Sequence, residues 1–320
     1  MQNYDPVNRL RVKVMGIGLE GSGFARLVSK KDTDFYKELR SGEIPMKDDG
    51  AEYCAVAYQS DVLYSSTFKD QIQLYPLGDI TYESSRERVE RSRKELTAQI
   101  KGMDVLYLLA ALGDEATSGA VVAIAALARE LGVYTIAAVT EPFEWEGEKR
   151  ALFAARAIEE LCGIADAVMR FPFAEAEGAV AEAYRSTEEA LVNTVVSLNE
   201  MLCVPSVINL DFGDVKTVCG DGSCVYVGLG TGSGSKPVIS AMRSALGSPF
   251  LKSRLPLSDK IILYVCGGED TELSDMNEAI FELKDAVNKD AYILFGAGLK
   301  SGVTSKSSVV LLAGLKGKKK

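Results

Sequence analysis

Histidine is absent from all 320 residues. That removes Ser-His-Asp and Cys-His catalysis, histidine general acid–base chemistry and histidine-containing metal sites together. Clustered cysteine is lacking too. The six cysteines (Cys54, Cys162, Cys203, Cys219, Cys224, Cys266) include no C-x-x-C pair, and the closest two, Cys219 and Cys224, merely flank a Gly-Asp-Gly turn. Zinc spacing is therefore missing, and reduced, mostly buried thiols are expected. The longest apolar run, 120–128, falls short of the roughly 20 residues a bilayer span needs. The first residues show no basic-then-apolar signal pattern, so a soluble, cytoplasmic protein is expected. Basic residues are outnumbered, 36 against 45 acidic for a net charge of −9, which argues against nucleic acid as a partner.

What is present suits an ordinary globular protein: 47% hydrophobic and 25% charged residues. The length suggests about two domains. Strand-like runs at 11–16, 53–58, 71–75, 105–111, 133–139 and 165–171 alternate with helical patterns at 84–100, 117–131 and 147–161. That alternation implies βαβ units and a doubly wound, mostly parallel sheet, with ligands gathering beyond the carboxyl ends of the strands. Helical apolar spacing through Val180, Ala183, Tyr184, Leu191, Val195, Leu198 and Leu202 predicts a long helix over 177–202. A second α/β region follows, with strands near 225–229, 261–266, 291–297 and 308–312 and helices near 237–246 and 273–287. The expected division is a nucleotide-binding-type domain at 1–176, a central helix and loop at 177–219, a smaller α/β domain at 220–313 and a basic tail at 314–320.

The most specific segment is N-L-D-F-G-D-V-K-T at 209–217, which sets Asn209, Asp211 and Asp214 just beyond the long helix. Read locally, it is an Asx-rich turn capping a helix start. Together with V-T-E-P-F-E-W-E-G-E-K-R at 139–150, I-E-E-L at 158–161, S-P-F-L at 248–251 and F-G-A at 295–297, it resembles the FtsZ/tubulin superfamily, and FtsZ more than tubulin, over nearly the whole chain. The resemblance implies an FtsZ/tubulin-like fold and head-to-tail filaments, with the chain itself as partner and a true FtsZ as a possible co-assembling one. It also implies a GTPase site split between subunits. In that frame Asp211 and Asp214 polarise the attacking water and Asn209 reaches the neighbouring nucleotide. The positions for GTP or GDP are Gly16, Gly18, Gly21, Ser22, Gly113, Thr117, Gly119, Glu146, Arg150 and Glu189. Charge management of this kind is what phosphoryl transfer requires.

The nucleotide side departs from the family pattern. The first glycine loop carries Leu19 and Glu20, and the second reads G-D-E-A-T-S-G at 113–119, with Asp114 and Glu115 in glycine positions and Thr117 on another. A carboxylate about 5 Å from a phosphate charge costs roughly 1–3 kcal/mol. Mg²⁺ among these acids would offset their charge, so Mg²⁺ is expected only with nucleotide, and no resident metal site is read. Phe173 stands at the family's base-recognising asparagine, Glu189 at its aspartate, and Ala57, Tyr58 and Gln59 at its Asn-Thr-Asp. The expectation is a filament subunit with GTP binding and hydrolysis impaired or lost; the alternative is a working GTPase forming GTP-dependent filaments in cell division. Gly16-x-Gly18-x-x-Gly21 also fits a dinucleotide fingerprint, but the second strand ends at Tyr58 without the ribose-binding acid. The lysine tail is read as a solvated terminus, not a membrane anchor.

Overall fold

A computed structural model describes residues 10–40, 51–58, 68–74, 79–173, 178–203, 206–220, 223–300 and 303–315. The lysine tail, Gln59 and Pro205 lie outside these. Ten described strands form one sheet: β1 (Val12–Ile17), β2 (Glu52–Ala57), β3 (Asp70–Gln73), β4 (Val105–Ala111), β5 (Tyr134–Glu141), β6 (Ala167–Pro172), β7 (Ser223–Ser233), β8 (Lys260–Gly268), β9 (Tyr292–Lys300) and β10 (Lys306–Leu315). Their order is β3-β2-β1-β4-β5-β6-β7-β10-β8-β9. Pairing is parallel from β3 through β7 and again between β8 and β9; only β10 runs antiparallel to its neighbours. The expected doubly wound, mostly parallel α/β fold is thus present.

The nine described helices are α1 (Gly18–Arg40), α2 (Tyr82–Arg91), α3 (Arg93–Ile100), α4 (Glu115–Glu130), α5 (Glu148–Ile164), α6 (Val180–Cys203), α7 (Phe212–Cys219), α8 (Pro237–Leu246) and α9 (Leu273–Ala286). Alternation along the buried strands sorts them onto faces. Tyr107 and Leu109 join the core with Phe24, Val28 and Leu191, beneath α1 and α6, while Leu106 and Leu108 join the core with Val121, Ile124 and Ile158, beneath α4 and α5. The core under α6 continues through Val225, Val227, Ile262, Tyr264, Val310 and Leu312. On the far side of that second half, α8 and α9 bury Val238, Met242 and Leu283.

Three expectations need correction. The single helix read over 84–100 is two, because Ser92 interrupts it and caps the end of α2. The helix read from Thr117 begins two residues earlier, since Asp114 is its cap. The segment read as a first glycine loop, with Leu19 and Glu20, is helical instead; β1 runs straight into α1 at Gly18, which has φ +76°.

Candidate functional site

The strand ends expected to gather a ligand do converge. Gly16 and Gly21 are packing glycines: a methyl on Gly16 would lie 2.3 Å from the Gly21 carbonyl oxygen, and one on Gly21 would lie 2.3 Å from that of Leu109. Ser22 is buried, with its hydroxyl 3.5 Å from the Gly16 carbonyl. At Gly18 the same construction meets the Thr117 hydroxyl at 2.6 Å, so the start of α1 and the first turn of α4 touch. The structure therefore brings Gly16, Gly18, Gly21, Ser22 and Thr117 together. Gly113, with φ +122°, joins them from the end of β4, and Arg150 covers it, its guanidinium 3.3 Å from where a methyl would sit. Gly119 faces elsewhere, toward α2, where a methyl would meet the Tyr82 carbonyl oxygen at 2.3 Å.

The start of α4 is tied to its own side chains. Asp114 Oδ1 accepts from the Thr117 amide at 2.7 Å, and the Gly113 amide donates to Ser118 Oγ at 3.1 Å. Free N–H groups at a helix start are what bind anions. Here a built-in carboxylate takes one of them. Glu115 Oε1 is 2.6 Å from Lys149 Nζ, and Glu146 Oε2 is 2.9 Å from Arg150 Nε. Leu19 and Glu20 are exposed at the start of α1. Among the described residues no three Asp, Glu or Cys side chains converge as metal ligands would.

Beside this cluster lies an aromatic one. Phe173, at the end of β6, stacks on Phe143 with ring centres 5.2 Å apart and lies 4.3 Å from the Tyr184 ring on α6. Trp145 stacks over Phe143 at 5.0 Å while staying largely exposed. Glu146 Oε1 accepts from the Phe143 amide at 2.8 Å and receives the Tyr184 hydroxyl at 3.5 Å. Burial, then the Glu146 carboxylate, pushes the Tyr184 hydroxyl above its ordinary pKa. Glu189 is not in this group; it lines a cleft of about 430 Å³ with Phe171, Ser248 and Phe250, between α6 and the second half.

At the other end of α6, Ile208 bridges Ala297 of β9 through paired backbone bonds of 3.0 Å, which fixes the loop. Asn209 Oδ1 accepts from the Ser206 amide at 2.6 Å. Asp211 caps α7 reciprocally: its Oδ1 accepts from the Asp214 amide at 2.8 Å, and Asp214 Oδ2 accepts from the Asp211 amide at 2.9 Å. The Asx turn and helix cap legible in the sequence are both there. Twenty-four residues of α6 separate this loop from Tyr184's end of the helix, about 36 Å at 1.5 Å per residue. Within one copy, the carboxylate loop and the glycine loops do not meet.

Two family models match the chain: the Tubulin/FtsZ family GTPase domain over residues 76–180 and the FtsZ family C-terminal domain over 223–316. The chain belongs to the FtsZ/tubulin superfamily. Solved superfamily structures share the fold. An empty FtsZ dimer from M. jannaschii superposes with a TM-score of 0.81 at 22% identity, covering 97% of this chain and 89% of that one. CetZ from Methanosaeta thermophila gives 0.78 at 16% identity, covering 96% and 87%. A GTPγS-bound CetZ2 protofilament from Haloferax volcanii gives 0.77 at 17% identity, covering 97% and 95%. Against this superfamily fold, sequence reasoning missed the capping role of Asp114, though an aspartate three residues before Thr117 is a readable helix-start signal. It also missed the ring cluster, since Phe143 and Trp145 lie too far in sequence from Phe173 and Tyr184 to announce them.

Proposed function

We propose that this chain is a filament subunit that stacks head to tail with copies of itself, its nucleotide end closed by its own side chains so that GTP binding and hydrolysis are impaired or lost. The observation that carries this reading is the Asp114 cap. A phosphate at the start of α4 would compete with a carboxylate already bonded to the Thr117 amide, in a position worth about 0.5–2 kcal/mol to the helix. It would also stand against that carboxylate's charge and that of Glu115. Phe173, packed between Phe143 and Tyr184, offers a ring where the family resemblance puts an amide for the base. These residues do not fit a bound guanosine polyphosphate.

Self-association is supported by the separation of the two candidate half-sites along α6 and by relatives whose structures are a dimer and a protofilament. In such a stack the loop bearing Asn209, Asp211 and Asp214 of one copy faces the glycine loops of the next, where Arg150 is a cation within reach of Asp211 or Asp214. The proposed division into units at 1–176, 177–219 and 220–313 follows the same frame. A true FtsZ is the natural co-assembling partner, and the cytoplasm the natural setting. Among the described residues no helix is long and apolar enough to cross a membrane.

The second reading, a working GTPase, rests on the retained, exposed Asp211 and its partner Asp214. Right-angle light scattering of nucleotide-stripped protein, with and without Mg-GTP and with grids taken for electron microscopy, separates the two. Filaments equal in both samples support the closed-site subunit. Filaments confined to the Mg-GTP sample overturn it in favour of the enzyme.

A further inference from the structure

Of the five cysteines whose side chains are described, three are buried, and burial pushes their thiols up: Cys54 and Cys219 to about 12, and Cys266 in the same direction. The other two meet. Cys162, in the last turn of α5, and Cys224, in β7, hold their sulfurs 3.3 Å apart across 62 residues of sequence, and both are only partly buried. Cys224 pairs with Val168 of β6, and the whole β6–β7 junction consists of three registered pairs, Ala167 with Ser223, Val168 with Cys224 and Met169 with Val225. The sulfur contact thus sits on the seam joining the parallel half of the sheet to the second half.

The surroundings favour reactivity at one sulfur. Arg170 of β6, held by Glu141 of β5 through bonds of 2.8 and 2.7 Å, faces the pair, as does Tyr226 of β7. The hydrogen bond from Cys162, followed in order of size by burial, which opposes it, and by the Arg170 charge, holds the Cys224 thiol below its ordinary value; Glu141 works against this more weakly. The same bond and burial push the Cys162 thiol up. A thiolate, not a thiol, attacks disulfides and electrophiles.

We infer that Cys162 and Cys224 form a redox-closable clamp across the β6–β7 seam, oxidised to an intramolecular disulfide by low-molecular-weight disulfides. The Cys224 thiolate attacks one sulfur of the small disulfide, forming a mixed disulfide and expelling one thiolate, which takes up a proton. Cys162 gives up its proton, its sulfur attacks Cys224 Sγ, and the second small thiolate leaves and is protonated. Both protein thiols are oxidised, and one small disulfide is reduced to two thiols. In a reducing compartment the clamp stays open.

The test treats the full chain with oxidised glutathione, blocks remaining thiols with N-ethylmaleimide and reads intact mass and peptide map. The expected product has lost two hydrogen atoms and yields one cross-linked peptide pair carrying Cys162 and Cys224, with Cys54, Cys219 and Cys266 alkylated only after unfolding. Its melting temperature is several degrees above that of the reduced form, and the difference vanishes with dithiothreitol. C162S is expected to stop at the glutathione adduct on Cys224, and C224S to react far more slowly. In the unmodified protein, iodoacetamide alkylation of Cys224 titrates below the ordinary thiol range. A map in which Cys162 and Cys224 both stay alkylatable, or in which either pairs with another cysteine, overturns the inference, and it needs no variant that might misfold.

Discussion

Two aspartates open helices at opposite ends of this molecule with nearly the same backbone. Asp114 has φ −92° and ψ 152°, Asp211 has φ −93° and ψ 173°, and each accepts from the amide three residues on. Their neighbourhoods differ. Asp114 stands in a ring of committed charges, with Glu115 held by Lys149 and Arg150 laid over Gly113. Asp211 is answered only by Asp214, and among the described residues neither has an ion-pair partner. On the proposed reading the first cap closes an anion site, whereas the second holds carboxylates out toward whatever docks there. A helix cap is silent about function; the charges around it decide.

Breaking the first cap should have the largest effect. D114G/E115G removes two carboxylates worth about 1–3 kcal/mol each against phosphate while costing the helix a few tenths of a kcal/mol at the cap, where glycine is tolerated, and up to about 1 kcal/mol at 115. Titration with a fluorescent GTP analogue should show at least a tenfold gain in affinity; unchanged binding would remove Asp114 from the account of the closed site. Next in size is G119A, which drives a methyl into the Tyr82 carbonyl and should cost about 1–3 kcal/mol by overpacking. Denaturant unfolding measures it, and a neutral result would free Gly119 for the ligand role that the resemblance gave it. D114A and D211A should each cost about 1 kcal/mol, a fall of about 2 °C in melting temperature for a chain of this size. If the caps serve as described, only D211A also weakens filaments in pelleting assays. K149A should be smallest, because Lys149 is itself largely solvent-exposed and pairs at such positions contribute about 0–1 kcal/mol.

Much of the fold was legible because its signals are local. Buried runs such as 105–111 and the apolar spacing along α6 identify their elements without help from the rest of the chain. The break at Ser92 was not legible, since the charged segment around it carries no proline or glycine to mark a stop. At the site, the motif around Asp211 could be read as a cap from sequence because both partners lie within four residues. Asp114 has the same signal, but its charge in a glycine position drew attention from its geometry. The contacts of Phe143 with Phe173, and of Cys162 with Cys224, join residues 30 and 62 apart. They exist only once β5, β6 and β7 lie side by side.

The seam between β6 and β7 has a mechanical consequence. Its three rungs are the fewest between any two neighbouring strands described, against ten between β7 and β10. Parallel strands pulled lengthwise divide the force among their rungs, so the stretch with fewest rungs yields first. In a fibre of stacked subunits under tension, stiffness would be set there, and a covalent bond between two sulfur atoms would strap β7 to α5, the helix leading into β6, alongside the softest line of the sheet.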